Sequence, residues 1–276
     1  MGGGAGLPGE GRVSGGAGLP GEGAVSGGAG LPGTVTVHDD PAVVAAAAAD
    51  WLLDVAAAAI SRDRRSGDGR FRIALAGGST PRALYALLAT EPRRERTDWG
   101  AWEVFFGDER ACPTSDPSSN YRTARDSLLD HVPIGPERVH RMEAERADLD
   151  AAAAEYGTVL AKTCPPDLPG SAPRLDCVLL GLGENGHTAS LFPGDPALEV
   201  TDRWAVRSRA DYAPYDRITL TFPVLDAARE VAFLVTGAAK GEALRGVIQG
   251  TVPAAGVRPS DGALHWFLDG AAAAAI

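Results

Sequence analysis

Apolar residues along this chain fall into two rhythms. Short unbroken runs occur at Phe71–Ala76, Trp102–Phe106, Leu175–Gly181, Ile218–Phe222 and Val231–Thr236. Runs of this length that lack alternation read as strands buried on both faces. Between them lie Ala/Leu/Arg stretches with helical spacing. Pro41 opens one that carries Val44, Leu52, Leu53, Val55 and Ile60, and Ser118–Leu129, Leu149–Leu160 and Gly241–Ile248 read as others. Strands separated by helices require crossover connections, so the pattern predicts a mostly parallel sheet with helices on both faces. In such sheets ligands bind beyond the carboxyl ends of the strands.

Residues 3–33 break the pattern with a twelve-residue repeat, GGAGLPGEGRVS and then GGAGLPGEGAVS. That stretch holds too little apolar surface to offset the chain entropy lost on ordering, so residues 1–33 are expected to be a disordered tail. Residues 34–276 have even composition and suit one α/β domain. The tail lacks the basic start and apolar core of a secretory signal. The 276 residues include 36 acidic and 26 basic ones, a net charge of −10 with no basic stripe. Nucleic acid is therefore a poor partner. Asp50 and Asp54 interrupt the apolar runs well short of the ~20 residues that span a bilayer, which argues against membrane insertion. Three cysteines, at 112, 164 and 177, match no disulfide framework or zinc pattern. A reducing, cytoplasmic setting and a metal-free chain are expected.

The segments that follow the strands hold the candidate chemistry. After FRIALA come Gly77-Gly78-Ser79-Thr80-Pro81 and a strong helix former. The glycines permit a sharp turn, Thr80 can cap the helix, and exposed amides would converge with the helix dipole on a phosphate-sized anion. An ordinary capped turn explains this segment about as well. It is not a nucleotide P-loop, because no Gly-Lys-Ser/Thr follows the glycines. After WEVFF come Gly107-Asp108-Glu109-Arg110. Two acids and an arginine could bind sugar hydroxyls and phosphate, but taken alone they read as a solvated turn.

After LDCVLL come Gly181-Leu182-Gly183-Glu184-Asn185-Gly186-His187. This contains GxGxxG, yet Pro193 and Pro196 would stop a crossover helix and no acid ends the next strand, so a dinucleotide site is rejected. The glycines are instead expected to present His187 at the start of a short helix, where the dipole favours a neutral, basic imidazole. Lys240, one of two lysines in the chain, follows the last run and can meet a phosphate as a point charge. Arg207 and Arg209 are further phosphate candidates.

Together AGGSTPRALYALL, WEVFFGDER, SSNYRTARDSLL, LDCVLLGLGENGHTASLFPG and DRITLTFPVLDAAREVAFLVTGAAK resemble the 6-phosphogluconolactonase family, within the sugar-phosphate isomerase and deaminase superfamily. The likeness covers nearly all of the chain after the repeat. It departs at Glu184-Asn185, where the family often shows Pro-Asp. The resemblance implies a three-layer α/β/α sandwich with a mostly parallel, Rossmann-like sheet. It also implies hydrolysis of 6-phospho-D-glucono-1,5-lactone, with no cofactor and a small molecule as partner; a monomer is favoured. His187 is expected to be the general base, with Asp108 or Glu109 orienting sugar hydroxyls or the ring. Gly77, Gly78, Ser79, Thr80, Arg110, Gly186, Arg207 and Lys240 are expected to contact substrate. The competing readings are a deaminase or aldose–ketose isomerase with Asp108 as base, a serine hydrolase using Ser79, and a sugar-phosphate sensor without turnover.

Overall fold

Successive residues of each long strand point into opposite layers, and both layers are apolar. In β2 (Phe71–Leu75) Ile73 and Leu75 join one core while Ala74 joins the other. The same division recurs in β5 (Cys177–Leu180) and β8 (Glu230–Val235), which is why these strands read as unbroken apolar runs. The computed structural model describes residues 1–3, 30–64, 67–168 and 170–276. Most of the repeat tail, 4–29, lies outside the described residues.

The remaining elements in chain order are β1 (Thr34–His38), α1 (Pro41–Asp63), α2 (Ser79–Leu88), β3 (Trp102–Phe106), β4 (Asp108–Arg110), α3 (Asn120–Ser127) and α4 (Leu149–Thr163). They continue with β6 (Ala205–Arg209), β7 (Asp216–Leu220), α5 (Phe222–Ala227), α6 (Gly241–Gln249), β9 (Ala263–Asp269) and α7 (Gly270–Ala273). Six strands form a parallel sheet in the order β1-β9-β8-β5-β2-β3. Helices α1, α2 and α3 cover one face, and α4 and α6 lie on the other. The expected three-layer arrangement is therefore present. From β2 the chain proceeds outward to β3, whereas β5, β8 and β9 build on the opposite side. Strand order thus reverses between β2 and β5, and ligand sites of open α/β sheets lie at that switch point.

The structure corrects several local readings. Ile218–Phe222 does not join the parallel sheet; most of it belongs to β7, the centre of an antiparallel sheet β4-β7-β6. The charged Asp108–Arg110 segment is a strand of that small sheet rather than a solvated turn. Residues 30–33, assigned above to the tail, pack on the body: Leu31 is buried in the core and Trp266 Nε1 donates to the Pro32 carbonyl at 2.8 Å. Helix α1 runs unbroken through Asp50 and Asp54 and is long and apolar enough to cross a membrane. Its stripe of Val44, Ala48, Leu52, Ala56 and Ile60 packs instead into the core over β9, β8 and β2.

Candidate active site

Four neighbouring strands, β8, β5, β2 and β3, deliver their carboxyl-terminal segments to one cavity of about 600 Å³. Its walls include Gly77–Thr80, Asp108, Arg110, His187 and Lys240. Two turns far apart in sequence therefore meet because β2 and β5 are hydrogen-bonded neighbours.

The bend after β2 opens α2. Gly78 has φ +108°, a conformation that residues with a Cβ rarely adopt, and it directs the chain into the helix. The first amides of α2 have no partner within the helix, so they can face an anion. Thr80 lies 2.9 Å, hydroxyl to hydroxyl, from Thr236, which joins this bend to the segment after β8. Lys240 lies just before α6, and its Nζ has no hydrogen-bond or ion-pair partner among the described residues.

His187 does not begin a helix. It follows a turn over residues 184–186, and the chain then makes a short bridge from Thr188 to Leu191. The helix-dipole explanation for a neutral imidazole accordingly fails. Burial supplies the effect instead, pushing the pKa down to about 4, with Asp108 opposing the shift and Lys240 and Arg217 adding to it. The ring packs against Phe192 with centroids 4.4 Å apart. It also lies directly against Gly183, where an added Cβ would fall 2.1 Å from ring atoms, so glycine at 183 makes room for the imidazole. Asn185 Oδ1 is 2.5 Å from Nδ1, whereas Nε2 has no partner among the described residues.

The acids divide. Asp108, 7% exposed, lines the cavity; Asn120 Nδ2 donates to its Oδ1 at 2.9 Å and Ser190 Oγ to its Oδ2 at 2.5 Å. Glu109 points away from the cavity, contrary to expectation, because strand alternation sends adjacent side chains in opposite directions. Its carboxylate accepts from the amides of Asn120 and Tyr121, each at 2.8 Å, and so caps α3. Burial raises its pKa while those amides oppose the rise.

Two other candidates also lie off the cavity. Arg207, on β6, is exposed and pairs with Asp216 at 2.8 Å, in company with Arg209. Gly186 supports the loop from behind, packed against Val252.

Arg217 was missed by the sequence reading. In the antiparallel pairing of β4 and β7 it stands directly opposite Arg110. Like charges so placed repel. Burial and the Arg110 charge hold the Arg217 guanidinium below its ordinary value, and Arg110 Nε is buried without a partner. Arg217 also lies over the ring of Tyr212, 5.4 Å from its centroid, and Tyr212 lines the cavity. The only prior signal was an arginine directly before the strand-like run Ile218–Phe222. An anion between the two guanidiniums would relieve their repulsion.

The profile of the family described as glucosamine-6-phosphate isomerases/6-phosphogluconolactonase matches residues 39–266. The chain belongs to this family. It is 37% identical over 251 residues to a 6-phosphogluconolactonase of Streptomyces coelicolor, covering 88% of this chain and 94% of that one. It is 39% identical over 248 residues to a 6-phosphogluconolactonase of Nostoc sp., covering 88% and 98%. A solved 6-phosphogluconolactonase from Trypanosoma brucei superposes with a TM-score of 0.76 at 32% identity, covering 88% of this chain and 98% of that one. In this family member, the cavity at the switch point unites an imidazole, a fixed carboxylate and two cations, Arg110 and Lys240, with Arg217 behind Tyr212 beside it.

Proposed function

We propose that the chain is a 6-phosphogluconolactonase that hydrolyses 6-phospho-D-glucono-1,5-lactone to 6-phospho-D-gluconate. The observation that carries this reading is the presence of the His187 ring and the Gly77–Thr80 bend on the walls of one cavity. A lactone is an activated ester, so direct attack by water requires one base and no covalent intermediate. His187 Nε2 takes a proton from water as the water oxygen bonds to the lactone carbonyl carbon. Collapse of the tetrahedral oxyanion breaks the bond to the ring oxygen, which recovers the proton from the imidazolium. Base catalysis of this kind contributes about 10²–10⁴ in rate. Glycine-loop amides would stabilise the oxyanion.

The amides of Ser79 and Thr80, with Arg110, Arg217 and Lys240, hold the phosphate, whose binding energy positions the carbonyl against the water. Asp108 serves sugar hydroxyls. Its two oxygens already accept from Asn120 and Ser190, whereas His187 Nε2 has no partner among the described residues, which favours the imidazole as base over the deaminase or isomerase alternative. The deciding assay compares hydrolysis of the phosphorylated lactone with that of glucono-1,5-lactone. A strong preference for the phosphorylated compound supports the reading. Equal rates would indicate a general esterase, and binding without turnover a sensor.

A further inference from the structure

Asn185 is an exposed loop residue that touches His187 at two points, one on the backbone and one on the ring. Its Oδ1 lies 3.2 Å from the backbone nitrogen of His187 and 2.5 Å from ring Nδ1. A backbone N–H can only donate, so the amide atom facing it is the oxygen, and that oxygen can only accept from the ring. Nδ1 therefore bears the ring proton, and Nε2 keeps the lone pair, on a side chain that lines the cavity. A solvated histidine side chain favours the opposite tautomer, with the proton on Nε2. That form would present a donor to an attacking water.

We propose that Asn185 is a positioning residue that selects the base-competent tautomer of His187 with a neutral acceptor. This rests on the lactonase reading for its catalytic consequence. A carboxylate at 185 would select the same tautomer but would also favour the imidazolium by a full negative charge. The ring already faces charges from several elements. Asp108 on β4 and Asp211 on the β6–β7 connection favour the cation, while Lys240 before α6 and Arg217 on β7 oppose it. Burial adds to the second group, and the base stays neutral only while that balance holds. An amide at 185 orients the ring without entering this balance.

The test uses the full chain and the variants Asn185→Asp and Asn185→Leu, with thermal denaturation to confirm that each is folded. In the pH profile of kcat/KM for the phosphorylated lactone, Asn185→Asp should move the acid limb upward by about 1–3 pH units. Asn185→Leu should lower the plateau kcat by up to about 10²-fold with little change in KM. Nitrogen-15 spectra of labelled histidine give a readout independent of turnover: His187 should be protonated at Nδ1 in the wild type and shift towards Nε2 protonation in Asn185→Leu. An unmoved limb in folded Asn185→Asp, or a wild-type ring protonated at Nε2, overturns the proposal. Should the wild type fail to hydrolyse the lactone, the functional reading falls, while the nitrogen spectra and the pH titration of the ring still decide this inference.

Discussion

An imidazole with a pKa near 4 is a weak base, and an activated ester is a substrate for which a weak base suffices. The ordinary histidine value of about 6.5 would place the acid limb of activity near neutrality. Burial moves that expectation: kcat/KM, which reports the free enzyme, should stay level on acidification until pH approaches about 4. A limb at 6–7 would contradict the half-buried, neutral ring. His187→Ala should lower kcat by about 10²–10⁴ with a smaller effect on KM. Lys240→Ala should chiefly raise KM, by about 1.5–3 kcal/mol if one charge-assisted hydrogen bond is lost. Because Lys240 helps hold the imidazole's pKa down, the same variant should move the acid limb upward. Steady-state kinetics across pH distinguishes these outcomes. The same depressed pKa has a stability consequence of fixed sign. The unfolded imidazole takes up a proton below about 6.5 and the folded one only below about 4, so folding loses stability as pH falls between those values.

Two buried tyrosines end the strands that border the site. At the end of β2, Tyr85 of α2 donates its hydroxyl to the Ala76 carbonyl at 2.7 Å and accepts from the Ala76 amide at 3.0 Å. At the end of β3, Tyr156 of α4 does the same for Phe106, at 3.1 and 2.8 Å. Each satisfies both backbone groups of one residue where the chain turns into a cavity-lining segment, and burial raises the pKa of both hydroxyls. Tyr85→Phe leaves a buried amide and carbonyl without that partner, so chemical denaturation should show a loss of about 1–3 kcal/mol. Tyr156→Phe should cost a similar amount. A neutral effect of both would mean that the strand ends are satisfied by other means. Gly183→Ala tests the opposite loop: the new methyl group displaces the imidazole, so kcat should fall while the stability cost stays modest.

For the molecule as a whole, a chain of net charge −10 binds an anion because its cations are placed unevenly. Arg110, Arg217 and Lys240 stand at or beside one crevice, whereas arginines such as Arg93, Arg96 and Arg146 are neutralised by surface acids. The start of the packed body can be tested by truncation. A chain beginning at Gly30 keeps Leu31 in the core and the Trp266–Pro32 hydrogen bond, and should match the full chain in Tm and kcat/KM. One beginning at Thr34 loses both and should be less stable by about 2–4 kcal/mol. Equal Tm values for the two truncations would show that residues 30–33 contribute nothing.

Local order was legible in the sequence, because strand and helix periods and the Gly, Pro and Thr signals act within a few residues. Trp102–Phe106 matches β3 residue for residue, and Gly77–Thr80, His187 and Lys240 stand on the cavity that the order of strands and turns suggested. Facing and burial were decided only by the tertiary structure. Whether Asp108 or Glu109 enters the cavity depends on the pleat of β4, and that segment reads as a strand only once β7 pairs with it. Arg217 acquires meaning from a partner more than a hundred positions away, as does His187 from the bend after β2. The base's pKa likewise comes from burial among groups on four separate elements, because desolvation and Coulomb energies depend on distance in space rather than distance along the chain.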